Sequence, residues 1–250
     1  MLDGADLIYT YDGSFDGLMC CVFESYFHKE EPFDIRLYDA HINLFECLKR
    51  VETDLAKAER VRRGIVAKIS YQALKMVQMG YLTDATQKEM LIYRFLRLGF
   101  EHGKKTVSML ADDRVHGLYR AVRNLTNESH KFLGFVRFSA YDQVLVSVIE
   151  PQNYILPLIS EHFCERFSGE KFMIYDKSHQ MALIHEAGEA TLIDVDELTL
   201  PDPSEEEQEF RRLWKQFYDT VAIKERNNPR CRMNHMPKRY WAHLVEVQGE

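Results

Sequence analysis

The chain has 250 residues, 46% hydrophobic and 12% aromatic, enough for a sizeable core in one or two domains. No apolar run nears the roughly 20 residues of a membrane span, and the opening MLDGAD lacks the basic and apolar regions of a signal peptide, so a cytoplasmic protein is expected. A net charge of −7 argues against a generally basic coat for nucleic acid, and Cys20, Cys21, Cys47, Cys164 and Cys231 have neither metal-ligand nor redox spacing. They read as reduced, mostly buried thiols, and no cofactor or metal is expected.

Leu7 to Tyr11 reads as a strand and Phe15 to Phe27 as a helix, with Leu18, Cys21, Val22 and Tyr26 on one face. Between them lies YDGSFDG. Ser14 is placed to cap the helix, Gly13 permits the turn, and Asp16 in the first turn suits the helix dipole. A helix N-terminus can also bind an anion, although Asp12 and Asp16 would repel a phosphate unless a cation sat between them. The Tyr-Asp-Gly-Ser echo of tRNA pseudouridine synthases is not supported further on, because no Arg-Thr-Asp motif follows.

The middle of the chain is read as helical. Thr53 is expected to cap a helix from Asp54 to about Met79, stopped by Gly80. At ~100° per residue, Lys57, Lys68 and Lys75 fall within about 20° of each other and Arg60 lies roughly 60° away. Leu55, Ala58, Ile65, Ile69 and Met76 take another face. The resulting basic stripe is either a solvated surface or a face that tracks phosphates. Thr86-Gln-Lys-Glu89 has capping-box form and opens a helix to about Glu101, ended by Gly103. Leu118, Val122 and Leu125 mark a third helix after Asp112. Gly103-Lys-Lys-Thr106 is not a P-loop, since Leu98 stands where a glycine is required.

At His130 the pattern changes. KFLGFVRFS and QVLVSVIE read as a hairpin joined at Ala140 to Asp142, and His130 at the junction is a candidate catalytic residue. Lys131 to Phe138 partly matches the second signature of the RNA-recognition motif, but Phe132 and Leu133 replace its glycine and its aromatic. A core strand with Phe132, Val136 and Phe138 inward is the simpler account. Asn153 to Phe167 reads as a helix with Pro157 near its first turn and Gly169 closing it. KFMIYD and HQMALIHE form a second hairpin, and EATLIDV one more strand.

Charge is uneven toward the end. Ten Asp or Glu and no Lys or Arg lie between His185 and Glu209, and six Lys or Arg between Lys224 and Arg239. Ser204 is placed to cap a helix through Trp214 and Tyr218. Beyond it, Asn227-Asn228-Pro229 is a break, and Pro237 can start the next helix. The run holds Arg226, Arg230, Arg232, Lys238 and Arg239 with Tyr240 and Trp241. It suits contacts to a nucleic-acid backbone and bases, or equally aromatics packed inward with arginines outside. The expected architecture is α+β in one compact unit: a strand–helix start (1–40), a helical insertion (41–129), a hairpin–helix–hairpin (130–200), and an acidic linker with a basic helical arm (201–250). One antiparallel or mixed sheet is expected.

Four blocks, YDGSFDGLMCCVFESY, HKFLGFVRF, ILPLISEHFCERFSGEKFMIYDKSH and NNPRCRMNHMPKRYWAHLVE, resemble a bacterial family of uncharacterised, probable DNA-metabolism proteins. The resemblance implies an accessory role in DNA repair or modification. It implies a partner that is a radical S-adenosylmethionine protein or a uracil-DNA-glycosylase-like protein, and it supplies no catalytic residues. The first functional reading is therefore a DNA-binding partner of a separate catalytic protein, using Lys57, Arg60, Lys68, Lys75 and the C-terminal basic run. A second is an enzyme on nucleic acid with Asp12, Asp16 and His130 in one cleft. A third is a protein–protein adaptor.

Overall fold

The computed structural model describes residues 7–38, 46–223 and 228–247. The chain is α+β and divides into two compact units, residues 1–125 and 126–250.

The first unit is built on strand β1 (Leu7–Tyr11), the centre of a three-stranded parallel sheet. Helix α1 (Phe15–His28) leads to β2 (Asp34–Leu37) on one side, and β3 (Cys47–Arg50) lies on the other. The sequence pattern hid β2 and β3 because each is only four residues long and β3 is largely exposed. The single expected sheet is thus two. Leu18, Met19, Cys20, Cys21 and Val22 of α1 are buried, with Tyr9 and Tyr11 of β1 beneath them. Each such aliphatic side chain contributes about 1.5–3 kcal/mol by leaving water.

The long helix expected from Asp54 is broken in two, α2 (Leu55–Lys68) and α3 (Tyr71–Tyr81). Ile69 leaves helical geometry, and the Ser70 hydroxyl accepts from Ala73 N at 3.1 Å, capping α3. The break seats fully buried Ile69 against α4 (Lys88–His102), where a Cβ on Gly99 would lie 2.4 Å from Ile69 Cδ1. Asp54, not Thr53, caps α2, accepting from Ala56 N and Lys57 N. The capping box before α4 does not form, because Gln87 is left-handed (φ 54°) and Glu89 instead accepts from the Tyr11 hydroxyl.

Helix α5 (Asp113–Phe135) contributes its first turns to this unit and the rest to the second. Its length overturns the strand expected from Lys131. Val115, Leu118, Leu125, Glu128, Phe132 and Val136 are buried at helical spacing, and the carboxylate at a core position disguises the continuing period. With Lys131 to Phe135 in the helix, the partial RNA-recognition signature has no structural basis.

The second unit carries a five-stranded mixed sheet in the order β4-β5-β6-β7-β8. The hairpin β4 (Ser139–Tyr141) and β5 (Val144–Ile149) is followed by α6 (Leu156–Arg166). Helix α6 begins later than expected, with Pro157 in its first turn, and its C-cap is Phe167 rather than Gly169. It crosses over to β6 (Phe172–Asp176), parallel to β5; β7 (Met181–Glu186) and β8 (Glu189–Asp194) then run antiparallel. Ser204 caps α7 (Glu205–Val221), and Asn228 caps the short α8 (Pro229–His235). Two 3-10 turns, Lys238–His243 and Val245–Val247, finish the described chain. Cys20 and Cys21 are buried and Cys164 partly so, whereas Cys47 and Cys231 are exposed. Among the described residues, no helix is long and apolar enough to cross a membrane.

Candidate nucleic-acid interface

The turn after β1 is closed by its own side chains. Asp12 Oδ1 accepts from the backbone N–H and hydroxyl of Ser14 at 2.9 and 2.7 Å, and Oδ2 accepts from Thr53 Oγ1 at 2.7 Å. Ser14 Oγ accepts in turn from Gly17 N, capping α1 as its sequence position predicts. Partial burial raises the Asp12 pKa, but the Ser14 and Thr53 donors outweigh it and hold the carboxyl below its ordinary value. Gly17 is required here: a Cβ would lie 2.3 Å from Asp12 Oδ1. Gly13, at φ +83°, turns the chain and accepts at its carbonyl from the Tyr81 hydroxyl. Asp16 pairs with Arg62.

This turn lies at the C-terminal ends of β1 and β3, where the strand order changes direction and open parallel sheets commonly bind ligands. Here the Thr53–Asp12 hydrogen bond spans that position. Asp12 and Asp16 belong to the first unit, while His130 is an exposed residue of α5 in the second. The partners of the two aspartates are Ser14, Thr53 and Arg62.

The basic stripe is shorter than its sequence spacing implies. Lys57, Arg60 and Lys68 lie on α2, but the break at Ile69 places Lys75 on α3, over the ring of Tyr71. Lys57 Nζ pairs with Glu24 Oε1 at 2.8 Å. Burial pushes the Glu24 pKa up, but Lys57 and His28 pull it further down, so this carboxylate stays ionised and offsets Lys57. Arg60 and Lys68 are exposed and, among the described residues, form no ion pair with a carboxylate.

What sequence reading missed is the aromatic half of this surface. Arg60 stands 5.7 Å from the Phe23 ring centroid and Lys68 6.0 Å from that of Phe100. Phe23 and Phe27, one helical turn apart on α1, stack at 5.9 Å with planes 15° apart, and Phe27 is 69% exposed. Tyr26, assigned from its spacing to the buried face, is also exposed and meets Phe100 edge-on at 5.5 Å. Rings and cations together line a groove of about 670 Å³ between α1 and α2. A second groove, which shares Tyr26 and Phe100 in its lining, carries Arg94, Arg97 and Arg114 beside Glu31 and Glu101. Of these, Arg97 pairs with Glu31 and Arg114 with Asp112. The available signal was α1 itself, which has more apolar positions than one buried stripe needs.

The C-terminal basic run adopts the second of its two expected forms, aromatics in and cations out. Tyr240 and Trp241 are buried. Tyr240 packs on Phe132 and Phe135, with centroids at 5.0 and 5.6 Å, and Trp241 Nε1 donates to Met236 O. Neither ring is placed to stack on a base, which corrects the expectation for these two residues. Arg232 and Lys238 lie over Trp241 at 4.8 and 5.3 Å. Arg239 donates to Gln152 Oε1 and to the Tyr240 hydroxyl. Arg230 and Lys238 are exposed, and Arg226 lies outside the described residues.

Beneath Arg239 sits buried Glu128, which accepts from Gln152 N, Asn153 N, Asn153 Nδ2 and the Tyr240 hydroxyl. Burial raises its pKa, but these donors win and leave it below the ordinary value. The same cluster pushes the Tyr240 phenol up, through burial and then the Glu128 contact. These bonds fasten the C-terminal segment to α5 and the loop after β5.

No curated protein matches the chain. A family model does match residues 86–246, a span that includes Arg94, Phe100 and the Glu128 cluster and begins after α1 and α2. By that match, over more than half its length, the chain belongs to the family described as a domain of unknown function (DUF4130).

Proposed function

We propose that the protein is an accessory factor of DNA metabolism. In this reading it holds nucleic acid on the α1–α2 face of its first unit and leaves the chemistry to a separate polypeptide. The observation that carries the reading is the pairing of unneutralised Arg60 and Lys68 with the rings of Phe23 and Phe100. Cations beside aromatics serve a phosphate backbone and its bases together. The family resemblance supports the accessory half, with a radical S-adenosylmethionine protein or a glycosylase-like protein as the catalytic partner.

Fluorescence anisotropy with short DNA at several salt concentrations tests this. Wild type should bind with an affinity that falls steeply as salt rises. Joint Arg60→Glu and Lys68→Glu reversal should weaken binding and flatten that slope. Reversing the exposed Glu205 and Glu206 should not weaken it. Absence of wild-type binding at low salt defeats the reading.

In that event the adaptor reading takes its place, and α7 favours it. Phe210, Leu213, Trp214, Phe217 and Val221 form an exposed stripe at helical spacing, a surface suited to a protein partner.

A further inference from the structure

Resting on the nucleic-acid reading, we infer that the ligand of the α1–α2 groove is a single strand. Its unpaired bases stack on Phe27 and Phe23, and its phosphates are held by Arg60 and Lys68. The argument begins with geometry. Phe23 and Phe27 lie nearly parallel, 15° apart, and Phe27 turns most of its surface to water. A duplex keeps its base faces stacked on one another and offers a protein edges and backbone. Phe27, parallel to partly buried Phe23 and open to water, therefore gains little from a duplex, whereas every unpaired base presents a π-face to it.

Charge complements this. Arg60 projects from α2 beside Phe23 and Lys68 beside Phe100, both without carboxylate partners among the described residues. Arg94 offers a further cation in the second groove, which shares the Tyr26 and Phe100 rings. Both grooves thus set cations beside the shared Tyr26 and Phe100 rings, although the second also carries Glu31 and Glu101. Lys57 and Arg97 contribute less, because Glu24 and Glu31 already neutralise them.

The groove is open because α2 places a glycine there. Gly64 lines it, and a Cβ at that position would meet only the Phe100 ring, at 3.7 Å, an ordinary contact. A longer side chain at Gly64 would extend into the groove, which gives a way to block it without altering any charge.

The experiment uses the full chain with labelled strands of about 12 nucleotides, within the usual range of single-strand site sizes. DNA, RNA and a DNA duplex of the same sequence are compared. The single strands should bind roughly tenfold tighter than the duplex. Phe27→Ala should weaken single-strand binding roughly tenfold at an unchanged salt slope, as expected for a lost stacking contact. Gly64→Met should weaken it likewise, and Gly64→Ala should not. A preference for DNA over RNA, or the reverse, identifies the strand and supports the inference. Duplex binding as tight as single-strand binding, or indifference to both Phe27→Ala and Gly64→Met, overturns it and leaves nucleic-acid binding standing. Binding to none of the three overturns both.

Discussion

The hydroxyl of Tyr240 donates to the buried carboxylate of Glu128, joining positions 112 residues apart in the chain. This bond ties the last described segment to α5. Tyr240→Phe keeps the ring packed on Phe132 and Phe135 and removes the hydroxyl, which donates to Glu128 and accepts from Arg239. A hydrogen bond to a charged group is worth about 1.5–3 kcal/mol, so the variant should lose stability of that order in denaturant melts. Loss of less than a few tenths of a kcal/mol would show that the bond does not fasten the segment.

The pKa of Glu128 is depressed in the folded chain, and so is that of Glu246, where burial is outweighed by Arg137 and Trp214. A depressed carboxylate binds its proton more weakly when folded than when unfolded. Its stabilisation is therefore present above the ordinary value of 4.5 and is lost as pH falls below it, through the folded pKa. Unfolding followed by circular dichroism from pH 7 downward should show stability falling in this window. Glu128→Gln should be less stable at pH 7 and should lose less on acidification. An unchanged pH profile in that variant would contradict the assignment.

Ser14→Ala should cost about 1 kcal/mol, since Gly17 N loses its cap and Asp12 loses a donor. Ser14→Asp tests the cap alone: it can accept from Gly17 N but cannot donate to Asp12. It should recover only part of the loss, if the Asp12 contact matters. Equal stability of all three proteins would show that the turn does not depend on this hydroxyl.

Two helical glycines should respond in opposite directions. Gly64→Ala removes the entropic cost of glycine in a helix at a site with room for a methyl, and should stabilise by up to about 1 kcal/mol. Gly99→Ala places a Cβ against buried Ile69 and should destabilise by about 1–3 kcal/mol. Thermal melts of both variants check the pair.

These residues also mark how far the sequence could be read. Capping by Ser14 and Ser204, the strands β1 and β5 to β8, and the α+β class were legible because each rests on local chemistry, a hydroxyl before a helix or alternation along a strand. The break at Ile69 was not. Its cause is a glycine 30 positions away on α4 that admits the isoleucine, and no local pattern reports that contact. Helix α5 was misread past His130 because Glu128 is a charged residue at a core position, satisfied by donors from the loop after β5 and from Tyr240. The cations of the candidate site were visible as a stripe. Their aromatic neighbours were not, since Phe23 sits on another helix and meets Arg60 only in the fold.

The C-terminal run separates charge from packing, and the two should fail differently on mutation. Trp241 is buried with Leu244, Val247, Phe135 and Met236, and its indole donates to Met236 O. Trp241→Ala should therefore act through the fold, costing about 3–5 kcal/mol as buried aromatics do. Arg230 and Lys238 are exposed, and their joint reversal to Glu should leave melting nearly unchanged. If this segment also touches a phosphate backbone, that double variant should reduce the salt slope of single-strand binding by about 0.7 per lost contact. A flattened slope with unaltered melting adds the segment to the interface. An unaltered slope confines binding to the α1–α2 groove and leaves the C-terminal cations as a solvated rim over a packed core. Trp241→Ala with wild-type stability would overturn the core assignment itself.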